Sequence, residues 1–249
     1  MSNMAAQHAM ECERFENLLL ADWKSLVFLH FEVDPDLLQP EIPFELDLFE
    51  GRCFATLVAF RMERMRPRIG GRATRWLTAP IANHHFLNLR VYVKHRAETG
   101  IFFVREWLDN RAAVALGPLV FGLPYRFATV NYDHGGDLKH GRVQNDYGGL
   151  EYTGGAICEE QEAECGEPLD VFLLERYTAF CAELKPRFFR VWHRPWKIRG
   201  LRNVEICEDA LLGNACPTWW PSARFVCGHF SEGVSDVWMG RPHAVSDLA

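Results

Sequence analysis

An α+β domain built mostly from antiparallel strands is the fold this sequence predicts, on three observations. About twelve short runs alternate apolar and polar residues with period two. Glycine, proline, asparagine and aspartate punctuate those runs at turn spacing. No repeat, low-complexity tract or linker divides the 249 residues, a length at which a β-rich architecture is routinely one domain. Residues 1–22 read as an N-terminal extension, either part of that domain or flexible, and 23–249 as the domain itself.

Taken in order, Leu26 to Val33 alternates as a strand, and Asp34-Pro35 opens a short helix with an N-cap and a proline at the first position. Phe44 to Phe49 and Arg52 to Met62 read as a hairpin about Glu50-Gly51. The stretch from Arg61 to Arg75 is basic and glycine-bearing, the pattern of an exposed loop. Phe86 to Lys94 and Ile101 to Trp107 form a second hairpin whose turn holds Glu98-Thr99-Gly100. Ala112 to Val120 reads as a helix ended by Gly122 and Pro124. Tyr125 to Tyr132, Lys139 to Gln144, Gly149 to Thr153 and Ala156 to Glu162 follow as a meander. Pro168 to Glu183 has the clearest helical period, through Leu169, Phe172, Leu173, Arg176, Tyr177 and Phe180. Phe188 to His193, Trp196 to Ile206, Arg224 to Phe230 and Val234 to Met239 close the chain as strands.

Composition narrows the function. A net charge of -6 lacks the basic footprint of a nucleic-acid binder. No apolar run reaches the roughly 18 residues of a membrane span, and Met1 to Glu13 lacks a signal-peptide pattern, so a cytoplasmic location is expected. Eight cysteines include no Cys-x-x-Cys pair, and most sit among apolar neighbours, which points to buried reduced thiols. Only five of the 27 basic residues are lysines (24, 94, 139, 185 and 197), which leaves few groups for amine chemistry. No phosphate-binding loop, dinucleotide fingerprint, zinc-protease helix or nucleophile elbow is present. Asp133, His134, Asp137 and His140 read as a polar hairpin tip, His84-His85 as loop packing and Cys181 as a core thiol. No cofactor or metal is implied.

The candidate site lies on Phe86 to Lys94. Period two puts Leu87, Leu89, Val91 and Val93 on one face and Asn88, Arg90 and Tyr92 on the other. An amide, a guanidinium and a phenol on an inward face would line one pocket. His193, ahead of Arg194-Pro195, sits at a strand end, where an imidazole suits proton transfer. His30 and His229 are mid-strand beside aromatics, with a structural role favoured for each.

Seven segments, in order, resemble one bacterial family of unknown function, the YqjF-like proteins, related to acetoacetate decarboxylase. They are Leu26-Val27-Phe28-Leu29-His30-Phe31, Glu45 to Gly51, Leu87 to Val93, Gly122-Leu123-Pro124-Tyr125, Glu175-Arg176-Tyr177, His193-Arg194-Pro195-Trp196 and Gly228-His229-Phe230-Ser231. The resemblance implies a closed, cone-shaped antiparallel β-barrel with two or three flanking helices and an internal pocket. The decarboxylase branch uses a Schiff-base lysine just after a proline, activated by a lowered pKa. The corresponding place here reads Pro124-Tyr125-Arg126, and neither phenol nor guanidinium forms an imine.

Two functions stay open. In one, a pocket binds a small carboxylate- or carbonyl-bearing molecule through Asn88, Arg90, Tyr92, Tyr125, Arg126 and His193, with His193 or Glu106 moving a proton if a reaction occurs. In the other, the interior is filled, Arg90 pairs with Glu106, Trp107 and Arg105 occupy the space, and the protein acts through its surface. Schiff-base decarboxylation is the least favoured reading. A homodimer is compatible with exposed strand edges, and the sequence does not decide it.

Overall fold

A computed structural model describes residues 3–12, 16–70, 74–157 and 163–248. In chain order it contains α1 (Asn3–Cys12), β1 (Asn17–Val33), α2 (Pro35–Leu38), β2 (Glu45–Leu46), β3 (Cys53–Pro67), β4 (His84–His95), β5 (Glu98–Leu108), α3 (Arg111–Val120), β6 (Tyr125–Phe127), β7 (Thr129–Asp133), β8 (Leu138–Asn145), β9 (Gly148–Ala156), β10 (Ala163–Glu164), α4 (Pro168–Leu174), β11 (Thr178–Cys181), β12 (Arg187–Trp192), β13 (Lys197–Asp209), α5 (Leu211–Ala215), β14 (Arg224–Gly240) and β15 (His243–Ala244). The class is the predicted one: mostly strand, mostly antiparallel, with few helices.

The ladder runs β12-β11-β5-β4-β3-β1-β14, and β14 also pairs with β12 through Val191↔Met239 and Trp192↔Trp238. Beyond β14 the path continues through β13, β9, β8 and β7. Both faces of the central strands are buried, in two separate apolar clusters. One gathers Leu87, Leu89, Val91 and Val93 with Leu29, Leu57, Tyr152 and Trp219. The other takes side chains from all seven strands of the returning path, among them Phe28, Phe60, Phe86, Ile101, Ala179, Phe189 and Val237. β4 therefore reads as the near-continuous apolar run of a doubly covered strand, broken only where polar groups face the second cluster.

Local signals account for most boundaries. Asp34 caps α2 by accepting from the Asp36 N–H at 2.9 Å, with Pro35 at the first position, a cap that contributes about 1 kcal/mol. Asn110 caps α3 in the same way, through the Ala113 N–H at 3.0 Å. Glu50 and Gly51 both take positive φ (51° and 79°), the tight turn that closes the Phe49↔Arg52 bridge.

Three expectations are corrected. The helix from Pro168 stops at Leu174, and Thr178–Cys181 is a strand between β5 and β12. Its apolar residues fit a helical period, yet a short strand buried on both sides gives the same run, and pairing decides. Arg61 to Pro67 continues β3 rather than forming a loop. Its charges stay on the ladder because they find partners across it, Arg64 with Asp22 and Arg66 with Asp236. The β4–β5 turn sits at Arg96-Ala97, since Glu98, Thr99 and Gly100 already pair with His95, Lys94 and Val93. Lys139 lies on a strand as the sequence reads, and it is buried there, its ammonium donating to the His134 and Gly136 carbonyls. The Ala156 to Glu162 strand falls largely on residues 158–162, outside those described. Near the N-terminus, α1 packs Ala6 and Met10 fully out of solvent.

Candidate functional site

A cavity of about 350 Å³ lies on the second cluster's side of β4. β4 supplies His84, Phe86, Asn88 and Arg90 to its wall, all on the face that period two assigns. Glu106 enters from β5, directly opposite Asn88 in the antiparallel register. Tyr125, Arg176 and His193 add to the polar lining, with Thr78 and Thr178, and Trp23, Phe28, Phe60 and Trp196 belong to its aromatic part.

The polar groups are poorly satisfied. Asn88 Oδ1, Arg90 Nε, Glu106 Oε2, His84 Nδ1 and Trp23 Nε1 are all buried without a hydrogen-bond partner in the protein. All five residues line this one cavity. An orphaned buried polar atom costs about 1–3 kcal/mol, so five of them on one wall form a set of unmet bonds facing a shared space. Burial pushes the Glu106 carboxyl well above the usual carboxylate range, opposed by its bond to the Asn88 amide. Burial likewise lowers Arg90, whose Nη2 donates to the Leu173 carbonyl at 3.1 Å.

His193 is 3% exposed, and its Nδ1–H donates to the Arg194 carbonyl at 2.8 Å. That bond leaves Nε2 as the ring's acceptor. Burial lowers its pKa to about 4, so the ring is neutral at physiological pH. It packs against Trp23, Tyr177 and Trp196. The segment after α4 builds this corner. Glu175 accepts from the Trp196 N–H at 2.9 Å and from the Tyr177 hydroxyl, which holds the turn that brings Arg176 to the wall. Arg176 also pairs with Asp47 at 2.7 Å.

Of the residues singled out from sequence, Asn88, Arg90, Glu106, Tyr125 and His193 come together at the cavity. Tyr92 lies outside its lining, with its hydroxyl donating to the Leu173 carbonyl at 2.8 Å. Arg126 is exposed and pairs with Glu183 at 2.7 Å. Trp107 packs into the opposite cluster, and neither it nor Arg105 lines the cavity. No ion pair joins Arg90 to Glu106 among the described residues. None of the five lysines lines the cavity; Lys94 pairs with Glu45 at the far end of β4. His84, Arg176 and Trp23 were not anticipated. His84 was within reach, because period two carried back from Asn88 through Phe86 ends on it. His134 Nδ1–H donates to the Ser25 carbonyl and its Nε2 accepts from the Tyr152 hydroxyl, which makes it a structural group of the β7–β8 tip.

The fold is that of acetoacetate decarboxylase-like proteins. An acetoacetate decarboxylase-like enzyme from Sphingomonas wittichii superposes with a TM-score of 0.66 at 14% identity, over 92% of this chain and 94% of that one. The enduracididine biosynthesis enzyme MppR, solved with pyruvate, superposes with a TM-score of 0.66 at 15% identity, over 96% and 95%. The chain belongs to the DUF2071 family of uncharacterized conserved proteins, whose model matches residues 20–235. It is 26% identical over 190 residues to the uncharacterized protein YqjF of Bacillus subtilis, 74% of each chain.

Proposed function

We propose that the protein binds a small organic molecule inside a strand-closed, barrel-like cavity, and that the molecule carries a carboxylate or carbonyl head on an apolar body. The observation that carries this is the set of five unpartnered polar atoms on one cavity wall. A filled core would bring those atoms together or leave them out. Arg90 is the cation for a carboxylate, since its fork presents paired donors. Glu106 in its protonated form and Asn88 offer complementary bonds to a carbonyl or hydroxyl. The aromatic remainder of the wall suits an apolar body.

If a reaction occurs, Glu106 is the acid and neutral His193 the base. Schiff-base chemistry has no support, because no lysine reaches the cavity. The pyruvate bound to MppR shows only that the fold accommodates a 2-oxo acid in that protein. We place the function in the cytoplasm, where the free thiols of the described cysteines persist.

A thermal-shift panel of aliphatic and aromatic carboxylic and 2-oxo acids tests the reading. A ligand at a hundred times its Kd stabilises by about 2.7 kcal/mol, or about 5–10 °C at this size. A rise of that order with an acid or 2-oxo acid, absent with the hydrocarbon that lacks its head group, is expected. A panel in which only uncharged apolar compounds raise the midpoint would contradict it.

A further inference from the structure

A second constellation lies outside the cavity lining. His30 on β1 stands directly opposite Cys227 on β14, and His229 is two residues further along the same face. One ligand atom from each of the three lies within 4.8 Å of the others. His30 is fully buried and His229 is 7% exposed, whereas Cys227 is only partly covered.

The hydrogen bonds around His30 fix its tautomer. The Leu173 carbonyl can only accept, so the Tyr92 hydroxyl gives it its single proton at 2.8 Å. Thr56 Oγ1, 2.6 Å from the Tyr92 oxygen, must therefore donate to it. The Thr56 oxygen is then the acceptor for His30 Nδ1–H at 2.9 Å. That leaves a lone pair on His30 Nε2, aimed at His229 Nδ1 3.1 Å away. On its other side His229 Nε2 lies 3.3 Å from Asp170 Oδ1, near the start of α4. A carboxylate there keeps the proton on Nε2 and turns the Nδ1 lone pair toward His30. Both lone pairs then converge on one point, and hydrogen bonding fills that contact only if one ring takes a second proton.

We propose that His30 Nε2, His229 Nδ1 and Cys227 Sγ form a zinc-type divalent metal site with a fourth position open toward the partly exposed side of Cys227. Two nitrogens bound to one tetrahedral zinc stand about 3.3 Å apart, close to the 3.1 Å found. The sulfur must close by at most about 1 Å to reach the third corner. Each ligating imidazole has its other nitrogen on an oxygen, Thr56 for His30 and Asp170 for His229, the arrangement that orients metal-binding histidines. Imidazole with thiolate selects zinc over magnesium or calcium. The Thr56–Tyr92 relay ends at the Leu173 carbonyl, which also accepts from Arg90 of the cavity, so the metal would anchor one side of that wall.

The test is titration of untagged, chelator-treated full-length protein with cobalt(II), read by absorption. One equivalent is expected to give tetrahedral ligand-field bands together with a thiolate-to-cobalt charge-transfer band, both removed by competing zinc. Cys227→Ser, at a partly exposed position, keeps the fold and loses the charge-transfer band. Asp170→Asn weakens binding by about 10–100-fold while keeping that band. His8 and Cys12, 3.4 Å apart on the exposed face of α1, are the built-in rival. A band that survives Cys227→Ser, a cobalt complex without thiolate character, or no stoichiometric uptake would each overturn the assignment.

Discussion

Replacing Arg90 by leucine separates a binding wall from a sealed core. In the structure the guanidinium has one protein acceptor for Nη2, the Leu173 carbonyl at 3.1 Å, and an unpartnered Nε. Losing a hydrogen bond from a charged donor costs about 1.5–3 kcal/mol. The Leu173 carbonyl is not stranded, because Tyr92 still donates to it at 2.8 Å. Against that loss stands the removal of a buried cation with no carboxylate beside it, a relief of several kcal/mol before relaxation. The two nearly offset, so the variant is expected within about 2 kcal/mol of wild type. Scanning calorimetry reads this as a midpoint change under about 8 °C, at roughly 2–4 °C per kcal/mol for this size. The variant should also stop responding to carboxylates that stabilise the wild type. Had Arg90 been one half of a buried ion pair with Glu106, its loss would cost about 3–5 kcal/mol. A fall of well over 10 °C, or a variant recovered only as aggregate, would refute the reasoning.

Acid should destabilise the protein through its buried histidines. Burial lowers His84 and His193 from the ordinary 6.5 to about 4, so the unfolded chain takes up protons that the folded chain refuses. Their stability is present above pH 6.5 and is lost as pH falls toward 4, about 3 kcal/mol each. Urea melts of His193→Gln between pH 7 and pH 4 should show a shallower decline than wild type; parallel profiles would contradict this. Glu106 acts in the opposite sense, its contribution being present below pH 4.5 and lost as pH rises through its raised value, so Glu106→Gln should flatten the alkaline side. Gly117→Ala places a methyl 2.3 Å from the Tyr125 ring, and with both residues on the cavity wall the ring is pushed into the space. A destabilisation of about 1–3 kcal/mol with a larger loss of ligand response is expected, and unchanged binding would argue against the cavity. Borohydride reduction with a β-keto acid should leave every lysine unmodified by mass spectrometry, and a stable adduct on any of them would reverse the exclusion of imine chemistry.

Period two carried the sequence reading furthest. It divided β4 correctly between its two faces, but the sequence reading offered Glu106 as a partner for Arg90 and Trp107 as a filler of the interior, whereas the register sets Glu106 opposite Asn88 and Trp107 packs into the far cluster. The sequence reading assigns both Tyr125 and Arg126 to the pocket, yet the same alternation applied to this strand turns Arg126 outward, where it pairs with Glu183. Tyr92 shares the inward face but lies under α4, where Phe172 and Leu173 cover it, and no local pattern reports a cover supplied 80 residues later. Arg176 was hidden because a doubly buried short strand imitates the continuation of a helix. The His30–His229 contact was illegible for a related reason. The alternation of each strand is visible, but the register that sets His30 against Cys227 is fixed only by long-range pairing.

The most direct measurement is a crystal structure of the protein with the carboxylic acid that stabilises it most. The account predicts density inside the cavity, over the face of β4 and β5 that carries Asn88 and Glu106, with the acid's head within hydrogen-bond distance of Arg90 Nε and of Asn88 or Glu106, and its apolar body against Phe28 and Trp196. An acid bound only on the outer surface, with Arg90 and Glu106 closed onto each other across a filled interior, would contradict it.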